Sequence, residues 1–280
     1  MASSANASFW DHIEALRWAL IRCAIVVFGI AIAAFLFKDF VFDGIVFAPA
    51  DSDFITYTTL CKWGTALSSK SLSFKFLCFD DLKNINLMSI NLSAQLFTHI
   101  SVSFYISLLI AFPYLMIELW MYVSPALYRK ERKPAIKGIV SFVVLFFTGV
   151  LLAYYVIFPL TLHFLAGYQV SERVPNEINL DSYISTFLTL TFMLGVVFEM
   201  PIVAYFLAKI GVLTNDFLTK YRKVAFVVVL VAAALITPST DAFTMLLVAM
   251  PLQLLYEFSR LVVKRVEKKN KISDNEENNA

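Results

Sequence analysis

The residue with the most chemistry to offer is a carboxylate inside an apolar run. Glu199 stands in GlyValValPheGluMetPro (Gly195 to Pro201), within a stretch from Ser182 to Ala208 that carries no other charge. A charge at membrane depth is costly and normally faces a partner, a cavity or a ligand. Two readings are open: an intramembrane polar site, or a protonated acid hydrogen-bonded inside a helix bundle. Pro201 removes a backbone donor and bends the helix beside it, which frees polar backbone near the carboxylate. A second carboxylate, Glu118, lies two residues before Trp120 and reads as an interfacial charge, with a site as the other reading. His12, His99 and His163 are dispersed, and no GxSxG, HExxH or paired-aspartate pattern accompanies them. Neither an enzyme, nor a metal site, nor a cofactor is expected. Glu199 by itself would also suit a proton-coupled small-molecule transporter.

The elements that hold these residues follow from composition. Of 280 residues 59% are hydrophobic and 16% charged, against about 25% charged in a soluble domain. So much apolar surface must face lipid, and a net charge of +2 gives no basic field for nucleic acid. Charge-poor stretches place spans at about 18–37, 99–122, 138–164, 182–208, 224–236 and 242–258. The charge-free cores of the last two, Val224 to Ile236 and Ala242 to Tyr256, reach only about 20 Å and about 23 Å, against a hydrocarbon core of about 30 Å. Prolines 113, 159, 201 and 251 put one break in each of four spans. Counting Lys and Arg, 17 of 23 fall on the side that holds both termini, which makes that side cytoplasmic. The fold class is therefore all-α polytopic membrane protein, one membrane domain over 1–264. A polar tail over 265–280 is expected to be disordered.

Between the first two spans, about 38–98 form an extracytoplasmic cap. Phe54 to Lys62 and Leu72 to Phe79 are rich in β-branched and aromatic residues and predict a β-hairpin. Such a hairpin would set Cys61 opposite Cys78, either as a disulfide in an oxidising compartment or as two reduced thiols. Asn86 to Phe97 predicts a helix leading into the second span.

In chain order, several motifs match those of one membrane-protein family. Phe9 to Arg22 (PheTrpAspHisIleGluAlaLeuArgTrpAlaLeuIleArg) is similar to its His-Leu-x-Glu-Leu-Arg opening, and Pro49 to the proline that starts its cap. Glu118 to Lys133 resembles its Trp-x-Phe-x-x-Pro-x-Leu-x-x-x-Glu-Arg block, Phe146 to Pro159 the block that follows, Phe198 to Pro201 its fourth-span signature, and Thr237-Pro238 the close of its fifth span. These blocks, in this order, resemble TatC, the multi-spanning subunit of the twin-arginine protein translocase, and the resemblance implies six helices in a curved, glove-like arrangement. It implies a receptor in the inner membrane that recognises twin-arginine signal peptides and exports folded proteins on the proton-motive force. Partners would be TatB-like and TatA-like single-span proteins, lipid, and further copies in a homo-oligomer.

Residue by residue, the resemblance places Glu131, Glu14, Tyr122 and Arg17 at the signal-peptide site. Guanidinium pairs best with carboxylate in a bidentate fork, so carboxylates are the fitting receptors. Glu199 becomes the intramembrane polar site, and Thr237, Thr244 and Met245 the partner-docking region. Three departures stand out. Ala15 holds the usual acidic position, so Glu14 lies about 100° away around a helix. Met245 stands where the family often has Gln, and the loop after Pro49 is enlarged.

Overall fold

The computed structural model describes residues 9–51, 53–67, 87–123, 132–168, 171, 177–238 and 241–278. The helices are α1 (Phe9–Leu36), α2 (Lys38–Val41), α3 (Ile55–Leu67), α4 (Ala94–Val123), α5 (Arg132–Leu152), α6 (Phe158–Gly167), α7 (Leu180–Val197), α8 (Met200–Lys209), α9 (Asn215–Lys220), α10 (Arg222–Ile236) and α11 (Ala242–Asn278). Two short strands, β1 (Leu87–Met88) and β2 (Ile178–Asn179), pair in parallel with Leu87 opposite Ile178. Among the described residues, five stretches are long and apolar enough to cross a membrane: Ile13–Leu36, Ala94–Leu119, Gly138–Gly167, Leu180–Lys209 and Ala242–Lys269. With 15 residues, α10 reaches about 22 Å and falls short of a hydrocarbon core of about 30 Å.

The chain divides into two compact units, Met1–Val41 with Leu96–Val144, and Phe42–Gln95 with Leu145–Ala280. In the first, α1 buries only a narrow stripe, Ala19, Val27 and Ala34, and leaves Leu20, Ile25, Phe28 and Ile32 exposed. Spacings of seven and eight residues put that stripe on one helix face. Thr98, Val102 and Ile106 form the corresponding stripe of α4. The outward aliphatic and aromatic side chains are the surface expected to meet lipid.

The second unit is denser. A Cβ placed on Gly149 of α5 would come within 2.6 Å of the Leu194 carbonyl oxygen of α7, and one on Gly195 within 2.8 Å of the Phe146 ring. Each helix thus offers a glycine to the other's bulk, which brings two backbones close enough for α5 and α7 to cross. Beyond α5 the chain forms a π-helical segment, Ala153–Ile157, just ahead of Pro159. Proline has no N–H to bond back to Tyr155, and the hydroxyl of Thr56 from α3 donates to that orphaned carbonyl instead. Three tyrosines complete the cap in the same way. Tyr57 donates to the carbonyls of Pro49 (3.0 Å) and Pro159 (3.2 Å), Tyr154 to Ile45 (2.9 Å) and Tyr183 to Val46 (2.7 Å). Irregular backbone here is satisfied by side chains, as burial requires.

Three expectations need correction. Phe54 to Lys62, read as a strand, lies largely in helix α3. The hydroxyls of Thr58 and Thr59 bond back to the Ile55 carbonyl, and with Thr56 tied to Tyr155 the threonines serve a helix despite their β preference. The other half of the expected hairpin, Leu72 to Phe79, lies outside the described residues. The segment before the second span holds β1 and a turn, so helix begins only at Ala94. The tail expected to be disordered continues α11 to Asn278. Leu252, Tyr256, Ser259 and Val263 form a buried stripe at helical spacing, and Val263 packs with Ala204 and Ala208 of α8. Tyr256 donates to the Leu218 carbonyl (2.7 Å), Glu267 accepts from the Asn215 amide (3.2 Å), and Glu257 accepts from Arg222 (2.7 Å) and pairs with Arg260 (3.0 Å). Those contacts hold the helix where its sequence turns polar.

Candidate functional site

The fourth long stretch is broken where its proline predicts. Phe198 and Glu199 form a turn between α7 and α8, with the Glu199 amide bonded three residues back to Val196 (3.1 Å) and Pro201 in the first turn of α8. Glu199 is 8% exposed, and neither carboxylate oxygen has a hydrogen-bond partner among the described residues. The backbone of Phe146 lies close by. Glu199 is thus a buried acid at a helix break.

On α10 and α11, the Thr237 hydroxyl bonds to Ala233 (3.1 Å). Asp241 caps α11 by accepting from the Thr244 amide (2.6 Å). The Thr244 hydroxyl is fully buried with no partner among the described residues. Met245 is half-buried. Among Thr237, Thr244 and Met245, Thr244 therefore holds the unspent hydrogen bond.

In the first unit, Glu14 and Arg17 are exposed on α1 and Tyr122 is half-buried near the end of α4. Glu131 lies outside the described residues. Cys61 is disulfide-bonded and Cys23 is a free thiol. Cys78 lies outside the described residues.

One constellation escapes a reading of the sequence. Glu118, read as an interfacial charge, is a buried one, 3% exposed. Arg22 of α1 grips it in a bidentate fork, Nε and Nη2 each 2.8 Å from a carboxylate oxygen, and the Tyr114 hydroxyl adds a third bond at 2.7 Å. Opposite charges in consecutive apolar stretches were the available signal. At the other end of α1, His99 stacks on Phe35 at 3.9 Å and its Nε2 lies 3.1 Å from the Phe35 carbonyl oxygen. No group of three or more metal-binding side chains occurs among the described residues.

A model of the family described as Sec-independent protein translocase protein (TatC) matches residues 11–251. The chain belongs to the TatC family. A TatC relative from Blattabacterium sp. subsp. Periplaneta americana is 36% identical over 93% of this chain and 96% of its own length. One from Aquifex aeolicus is 36% identical over 67% of this chain and 78% of its own. A crystal structure of a twin-arginine translocase receptor, TatC, superposes with a TM-score of 0.69 at 32% identity, covering 90% of this chain and 99% of that one. Membership makes this chain kin to a translocase component, not to an enzyme. It also sets Glu14, Tyr122 and Glu199 within the matched region, as it does Thr237 and Thr244.

Proposed function

We propose that this chain is the signal-peptide receptor and core subunit of a twin-arginine translocase, exporting folded proteins across the cytoplasmic membrane on the proton-motive force. The observation that carries the reading is the match over 11–251, supported by likeness to TatC receptor structures across nearly their whole length. The proton-coupled transporter reading draws no support from these relatives. Six spans are counted by including α10, whose polar exit at Thr237 and Pro238 returns the chain for α11. Both termini then lie in the cytoplasm, on the side with 17 of the 23 basic residues. The curved, glove-like arrangement is carried over from the resemblance.

In this reading Glu131 and Glu14 receive the two guanidinium groups of the signal peptide, Tyr122 packs beside them, and Arg17 sets the local charge. Glu199 meets a polar group of the inserted signal or of a partner helix. Thr237, Thr244 and Met245 form the docking region for TatB-like and TatA-like helices, with Thr244 as the open donor. Cys61 is assigned Cys78 as its partner, stapling the cap in the oxidising compartment. Export of a folded twin-arginine reporter tests the assignment: Glu131→Ala and Glu199→Ala are each expected to lower export at least about tenfold, the loss of one charge-assisted contact. Wild-type export by both variants would remove these site assignments.

A further inference from the structure

Three side chains of α4, Tyr114, Glu118 and Tyr122, recur every four residues and so lie along one helix face. At its centre is a carboxylate that already holds a guanidinium in a planar, two-point fork. The two partners are unequally fixed. Glu118 is 3% exposed whereas the side chain of Arg22 is 49% exposed, so the carboxylate is the built part and the arginine, long enough to snorkel toward the membrane interface, is the part that moves. Tyr114 would keep its bond to Glu118 after that departure. An aromatic rail flanking a carboxylate is the surface on which a guanidinium both stacks and pairs.

We propose that Glu118 is a third arginine-accepting carboxylate of the receptor, occupied at rest by the chain's own Arg22, and that an arginine of the signal peptide takes Arg22's place. This rests on the function proposed above. Arg22 then acts as an internal surrogate ligand that restrains binding until a signal with the right guanidinium geometry competes it away. An ammonium group has no planar fork, so exchange favours arginine over lysine. The tyrosines fix where the entering side chain lies, and the buried carboxylate favours exchange of one cation for another over standing empty.

The test uses full-length protein in lipid nanodiscs, titrated with a fluorescent peptide bearing an Arg-Arg pair or its Lys-Lys counterpart. R22Q is expected to bind the Arg-Arg peptide about tenfold tighter than wild type, the worth of one charge-assisted pair freed from competition. The Lys-Lys peptide should gain far less, and the R22Q/E118Q double variant should lose the gain. R22K keeps the charge without the fork and should show a gain of the same sign, which keeps the test decisive if R22Q folds poorly. A second readout needs no signal peptide: methylguanidinium should raise the thermal midpoint of R22Q more than methylammonium does, and raise neither in the double variant. Wild-type binding with unchanged or weaker binding by R22Q and R22K would overturn the inference alone, leaving the pair as a staple between α1 and α4. Binding by neither wild type nor the Arg22 variants would overturn the receptor reading and the inference together.

Discussion

Removing the Tyr57 hydroxyl takes a donor from two carbonyls at once, those of Pro49 and Pro159. Tyr57→Phe is expected to cost about 1–3 kcal/mol, the penalty for leaving buried acceptors unsatisfied, read as a lowered thermal midpoint in detergent. Burial pushes the Tyr57 phenol up from its ordinary value. The stability it confers is therefore fully present below the unfolded phenol's pKa of about 10 and drains away as pH climbs toward the folded value. Wild type should lose stability over that alkaline window, and Tyr57→Phe should lose less; equal slopes would contradict the assignment. At this scale the sequence marks chemistry unevenly. Glu199 is legible because it is alone among apolar neighbours. Glu118 is not, because its partner lies 96 residues away and either charge, taken singly, suits an interface.

The reciprocal glycines govern how closely two helices cross. Gly149→Ala drives a methyl against the Leu194 backbone, 2.6 Å away, which cannot swing aside as a side-chain tip would. Overpacking of this kind costs about 1–3 kcal/mol, and thermal unfolding of the purified variant should show it. Gly29→Ala, where nothing lies within 4 Å, is the matched control and should leave the midpoint unmoved or raise it slightly, as alanine favours a helix. The long apolar elements were legible because a membrane demands about 20 charge-poor residues, and the charges between them fixed their ends. Elements held by tertiary contacts were not. Helix α3 has a strand's composition but is tied down by Thr56 and Tyr57. The end of α11 has a disordered tail's composition but rests on α8 and α9 through Val263 and Glu267. In both cases the deciding partners lie far along the chain, beyond any local window.

For the whole molecule, the asymmetry of 17 basic residues against 6 predicts the orientation. A fluorescent protein fused after Ala280 should mature in the cytoplasm, and alkaline phosphatase fused after Leu67 should be active outside it. The opposite pattern would invert the proposed topology. The cap adds a matter of timing. Its carbonyls at Ile45 and Val46 wait for hydroxyls 109 and 137 residues downstream. At about 5–20 residues per second, Tyr183 follows Val46 from the ribosome by roughly 7–27 s. Through that interval the Val46 carbonyl has no tyrosine to bond, so closure of the cap waits until the nascent protein begins to deliver its fourth span.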